Sequence, residues 1–173
     1  MSKKIFRRCI VLLAALLMSM PGSAVAADST VTVNATIQQA ALTVSNATVN
    51  FGTIVSAGAD TVIIDASAGG AVSVPGNAAI TNITAAGSSG IINVTSTGFN
   101  AIVDITYPAS IVISEGGGDT MTVDQIPAYS TPTPLTLDGS GSGTINVGGR
   151  LSIGGSQTAA TYTNTGTISV NYQ

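Results

Sequence analysis

The chain has 173 residues, with five Lys+Arg, eight Asp+Glu and no His. Lys3, Lys4, Arg7, Arg8 and the single Cys9 all lie near the start, so from residue 27 onward Arg150 stands alone against all eight acidic residues. That balance repels phosphate backbones, which excludes nucleic acid as a partner and disfavours anionic lipid surfaces.

Residues 1–26 read as a secretory signal peptide. A basic start leads into an apolar run from Cys9 to Met20, then Pro21-Gly22 and the small-residue motif Ala24-Val25-Ala26. The run falls short of the roughly 20 apolar residues that a membrane span needs. Cleavage after Ala26 leaves one ordinary domain, with no membrane span and no cysteine for a disulfide despite export.

The remainder is rich in Thr, Val, Ile, Ala, Gly, Ser and Asn. It shows no sustained helical period, but short alternating runs broken by turn residues, which predicts an all-β sandwich or barrel. The first run is 30–37, within "STVTVNATI". Val31, Val33, Ala35 and Ile37 make its apolar face; Thr30, Thr32, Asn34 and Thr36 make its polar face. After Gln38-Gln39 the apolar phase shifts to Ala40, Leu42 and Val44. This joint separates an arm, residues 27–39, from a sandwich domain, residues 40–173. Strand 41–52 carries a phase slip between Val44 and Val49 that predicts a bend or bulge.

Further strands are predicted at 61–66, 71–74, 78–85, 90–97, 101–108, 110–114, 120–126, 134–138, 143–149, 150–155 and 161–173. Glycine pairs and clusters mark the turns, among them Gly116-Gly117-Gly118, "DGSGSG" (138–143) and Gly148-Gly149. "STPTP" (130–134) reads as a stiff extended connection inside one domain. The strand edges have no lysine, the residue that usually guards them, as befits an edge meant to pair.

Chemistry-bearing residues are scarce. Without His, Cys or Lys after residue 26, the familiar nucleophile–base pairs cannot be assembled. Asp60, Asp65, Asp104, Glu115, Asp119, Asp124 and Asp138 remain, and no spacing marks two of them as a catalytic pair. "SEGGGDTMTVD" (114–124) lacks calcium-loop spacing and reads as a hairpin turn. The sequence predicts no enzyme activity, no cofactor and no metal site. The absence of Trp disfavours a sugar-binding platform.

Three motifs occur in order: "VNFGTIV" (49–55), "GGGDTMTVDQI" (116–126) and "GTINVGGRLSIGGSQTAATYTNTGTISVNYQ" (143–173). Together they resemble the bacterial secreted family known as domain of unknown function 4402. They are also similar to archaic and spore-coat-U-like chaperone–usher pilin subunits. The latter resemblance implies an immunoglobulin-like, pilin-like antiparallel β-sandwich that lacks one strand. A periplasmic chaperone fills the gap first, and the N-terminal arm of another copy replaces it at an outer-membrane usher. Carried over, Val31, Val33, Ala35 and Ile37 form the donor strand. Ile168, Val170 and Tyr172 form the C-terminal groove strand.

The resemblance implies a structural subunit of a surface fibre, exported through the periplasm to the surface of a Gram-negative cell. Many such pilins carry a disulfide, which this chain lacks after residue 26. The alternative is a self-complete secreted sandwich, a surface adhesin or matrix protein, in which 30–37 closes its own sheet.

Overall fold

A computed structural model describes residues 31–36, 40–67, 71–73, 80–85, 87–98 and 100–173. The chain divides into two units, residues 1–37 and 38–173. The signal-peptide segment and Ile37 lie outside the described residues. In the first unit, residues 31–36 belong to no strand, and Val31 and Val33 are 82% and 85% exposed. Over residues 31–36 the alternating pattern is therefore not realised as a strand. A strand needs a neighbour to satisfy its backbone.

Among its described residues the second unit is all-β, with a 3-10 turn at Ile126–Tyr129. Its strands are β1 (Leu42–Val44), β2 (Thr53–Ser56), β3 (Asp60–Asp65), β4 (Ala71–Ser73), β5 (Ile80–Ala85), β6 (Gly90–Ser96) and β7 (Ile102–Thr106). They continue with β8 (Ser110–Ser114), β9 (Thr120–Asp124), β10 (Leu135–Thr136), β11 (Ser142–Val147), β12 (Gly149–Ile153) and β13 (Ser169–Tyr172). The pairings are antiparallel and give the orders β1-β6-β11, β10-β7-β13, β4-β3-β12-β9-β8 and β2-β5.

Alternation decides which side chains go inward. On β6, Ile92 and Val94 are buried, while Ile91, Asn93 and Thr95 face out. Their partners Ile145 and Gly143 on β11 share the inner face. Across the five-stranded sheet one inward row runs Val62–Leu151–Val123–Ile111. Val103 and Ile105 of β7 complete a single apolar core with these residues. Sheets that share one core between their inner faces make an antiparallel β-sandwich.

Most predicted strands appear within a residue or two of their expected ends. The predicted 41–52 strand is interrupted, as its phase slip implied. β1 stops at Val44, an isolated bridge joins Asn50 to Ser88, and Gly52 turns the chain (φ 83°) into β2. The predicted 161–173 strand is shorter. Only Thr163 bridges, to Ser114, before β13 begins at Ser169.

The linker 130–134 stitches sheets together. Thr131 N–H donates to the Asn146 carbonyl of β11 (2.9 Å), and Asn146 N–H donates back to Thr131 Oγ1 (2.8 Å). Ile105 N–H of β7 donates to Thr133 Oγ1 (2.9 Å). Tyr107 also donates its hydroxyl to the Thr131 carbonyl (2.7 Å), and burial pushes that phenol's pKa up to about 12. Threonine hydroxyls thus close one seam of the sandwich where no strand ladder does.

At the β11–β12 junction the chain leaves one sheet for another through Gly148. A Cβ at Gly148 overlaps the carbonyl oxygens of Ile64 and Tyr129, both backbone atoms that cannot swing away. Gly148→Ala is therefore expected to destabilise the domain by about 1–3 kcal/mol. Gly139→Ala, where a Cβ meets open space, is expected to stay within about 0.5 kcal/mol. Urea midpoints of the two variants check the contrast.

Candidate functional site

Asp124, Asp119 and Asp138 are each engaged locally. Asp124 and Arg150 are register partners on β9 and β12 and form a bidentate pair, with Nε to Oδ1 and Nη2 to Oδ2 both 2.8 Å. The Arg150 hydrogen bond is the main cause that lowers the Asp124 pKa, and the Asp124 hydrogen bond raises that of Arg150. Asp119 accepts from the hydroxyl and backbone N–H of Thr158, bonds that lower its pKa. Asp138 accepts from Ser140 and Ser142 around a tight turn, and its pKa is lowered chiefly by the Ser140 hydroxyl. The triple glycine closes the β8–β9 hairpin, with Gly116 and Gly118 at positive φ. Among the described residues, no group of three or more His, Cys, Asp or Glu could hold a metal ion.

A concave feature lies between β1 and β13. An open groove of about 460 Å³ is lined by Ala40, Leu42, Val44, Val170, Asn171 and Tyr172. Both flanking strands are edges: β1 pairs with β6, β13 pairs with β7, and the two belong to different sheets. Of the residues expected in the groove, Val170 and Tyr172 are there. Ile168 is half-buried against the core but is not among the lining residues. Ala40, Leu42 and Val44 supply the opposite wall. The apolar phase after Gln39 was their signal in the sequence, although it was read only as the end of the arm.

The backbone of both walls points into the gap. In an antiparallel ladder, alternate residues bond to one neighbour and those between point the other way. Thr97 N–H donates to the Ala41 carbonyl (3.1 Å), and Ser45 N–H donates to the Asn93 carbonyl (3.0 Å). Residues 41, 43 and 45 thus face β6, and the N–H and C=O groups of Leu42 and Val44 face away from it. Gln173 N–H donates to the Ile102 carbonyl (3.1 Å), which by the same alternation turns Val170 and Tyr172 away from β7. Among the groove-lining residues, Leu42, Val44, Val170 and Tyr172 are therefore those whose backbone edges are open.

Coverage on the inner face is unequal. Val44 and Val94 are register partners and share a face, yet Val94 is fully buried and Val44 is 51% exposed. Val170 is half-buried beside its partner Ile105, which is 4% exposed. The core is sealed up to β6 and β7 and left uncovered one strand further out.

The geometry defines an antiparallel β-sandwich with an open seam between two edge strands. The model of the family described as a domain of unknown function, DUF4402, matches residues 42–172, so the chain belongs to that family. No curated protein and no solved structure matches it.

The lowered carboxylates set an acid limit. A depressed folded pKa contributes stability above the unfolded value, near 4, and that stability is lost as pH falls through the folded value. Stability is expected to be level near neutrality and to drop below about pH 4. Asp124→Asn is expected to flatten part of that drop, and urea midpoints between neutral and acid pH measure it.

Proposed function

We propose that the chain is a non-catalytic, exported structural subunit that assembles by β-strand addition, its β1–β13 groove receiving residues 29–37 of another copy. The observation that carries this reading is the half-exposed Val44 beside the fully buried Val94, on an edge strand whose backbone faces the gap. An inserted strand would satisfy that backbone and cover that face together.

The arm suits the place. It alternates Val31, Val33, Ala35 and Ile37 with polar residues, so one face can enter the groove while the other stays in water. Val31 and Val33 are exposed and Ala35 is exposed, outside any strand. Burying each large apolar side chain contributes about 1.5–3 kcal/mol, and each ladder hydrogen bond adds roughly 0.5–1.5 kcal/mol. Recognition of this kind takes affinity from main-chain bonds and specificity from alternate side chains. Neither the groove-lining residues nor residues 29–37 carry a charge, which favours a second copy over an acidic or basic partner.

In this reading the sandwich is immunoglobulin-like and lacks one strand. Residues 1–26 direct export, a periplasmic chaperone covers the groove in transit, and an outer-membrane usher hands the subunit to a fibre on the surface of a Gram-negative cell. The fibre serves as a surface or adhesive structure.

Removal of residues 27–38 tests the reading. The truncated chain is expected to be poorly folded or self-associating alone and to gain stability, at one to one, with a peptide of residues 29–37. The full chain is expected to run as a ladder of SDS-resistant oligomers. A truncated chain that folds alone and ignores the peptide would sink the proposal and favour the self-complete sandwich.

A further inference from the structure

Residues 154–168 connect β12 to β13, and on the way they pass along the outer edge of β8 without forming a strand ladder. Ser114 and Thr163 make one isolated bridge, with Thr163 N–H to the Ser114 carbonyl at 3.0 Å and Ser114 N–H to the Thr163 carbonyl at 3.3 Å. Beyond it Asn164 Nδ2 donates to the Val112 carbonyl (2.6 Å). A Cβ at Gly166 would overlap Ile111 Cδ1, so glycine lets the chain pass close over that side chain. The near end is pinned from the β8–β9 hairpin. Asp119 Oδ2 accepts from Thr158 Oγ1 (2.6 Å) and Thr158 N–H (2.8 Å), and Gln157 Nε2 donates to the Thr120 carbonyl (3.4 Å). Thr158, Thr163, Asn164 and Gly166 are all exposed. A segment held this way can lift while the ladder beneath it stays whole.

The strand beneath is self-complementary. β8 reads Ser110-Ile111-Val112-Ile113-Ser114, the same in both directions, with no charge and no proline. An uncharged edge of β-branched residues is a template for another strand. The bonds of Ser114 to Thr163 set the backbone phase: Ser110, Val112 and Ser114 face the edge, while Ile111 and Ile113 face β9. Two copies of β8 laid antiparallel about Val112 match Val112 with Val112 and Ser110 with Ser114. Edge-facing residues then meet edge-facing residues, as a ladder requires, and Ile111 meets Ile113 on the inner face. Glu115, just past the strand, falls opposite Ala109, so no like charges meet.

We propose that residues 157–166 are a releasable strap, latched by Asp119 on Thr158, and that lifting it lets β8 pair antiparallel with β8 of a second copy about Val112. The contact is isologous, so it joins two five-stranded sheets and closes. It uses neither the β1–β13 groove nor the arm, and it stands whether or not the groove takes a strand. In the resting chain the strap is autoinhibitory: it spends the edge groups of Ser114 and Val112 on Thr163 and Asn164.

The latch is tested by amide hydrogen exchange on dilute full chain. Asp119→Ala is expected to speed exchange at Ser114 about tenfold and to leave the Val94 amide of β6 unchanged. The pairing is tested by crosslinking. In the full chain carrying Cys9→Ser, Val112→Cys supplies one thiol, and a short bismaleimide is the probe. Val112→Cys alone is expected to crosslink poorly. With Asp119→Ala added, it is expected to give a covalent dimer at least about fivefold more abundant. Ser114→Cys with Asp119→Ala is expected to crosslink weakly, because the proposed register holds the two copies of residue 114 roughly 14 Å apart.

Unchanged Ser114 exchange in Asp119→Ala overturns the latch. Faster exchange with no Val112→Cys dimer overturns the pairing, and equal dimer with and without Asp119→Ala overturns the strap as a cover. Ser114→Cys dimer as abundant as that of Val112→Cys overturns the register. Should Asp119→Ala fail to fold, Gly166→Val lifts the strap at its other end against Ile111, and the same crosslinking outcomes decide.

Discussion

The structure depends on how the two seams of the sandwich are closed. Both seams must join sheets whose inner faces share one core. At β11 and β7 the job falls to Thr131 and Thr133, whose hydroxyls and backbone supply hydrogen bonds to both strands. At β1 and β13 a single tyrosine hydroxyl reaches across. The first seam is knitted by several bonds, Tyr107 among them, while the hydroxyl of Tyr172 bonds to Ser96 and Ala41 at the second. Edge strands are ordinarily shielded by lysine, proline or a covering loop, and β1 and β13 contain neither lysine nor proline. The edge of β8 shows the contrast. There Thr163 bridges Ser114 and the Asn164 amide donates to the Val112 carbonyl, so a length of chain covers the edge.

Polar groups elsewhere are spent on holding the chain in place. Arg150 is fixed bidentately by Asp124 across neighbouring strands, Asp119 anchors Thr158, and Asp138 closes a turn. These three carboxylates each have a local task, and none of them lines the groove. A half-exposed ion pair contributes little to stability in water. The Asp124–Arg150 pair instead fixes the register of β9 on β12, which places Val123 beside Leu151 on the inner face.

The sandwich was legible because it rests on alternation. Ile92, Val94, Ile145, Val147, Leu151 and Ile153 declare their inward face by period alone, and the glycine clusters mark where each strand ends. The bend after Val44 was legible too, as a slip of phase. The groove wall was only half legible. Val170 and Tyr172 stood out as an alternating C-terminal strand, but Leu42 and Val44 look the same in sequence whether their strand lies at an edge or in the middle of a sheet. Strand order is a long-range property that local pattern does not encode. For the same reason Ile168, in phase with Val170, was expected in the groove and packs against the core without lining it. The Thr131 and Thr133 stitches were invisible because threonine in a Pro-rich stretch looks like any linker residue.

A groove without charge must take its selectivity from shape. Long-range attraction cannot guide an arm of valines, threonines and alanine to a wall of leucine, valine and tyrosine. Main-chain ladder bonds accept almost any extended segment. What remains, on the strand-addition reading, is the match of side-chain size between the arm and the groove wall, where Val44 stands half-exposed beside the buried Val94.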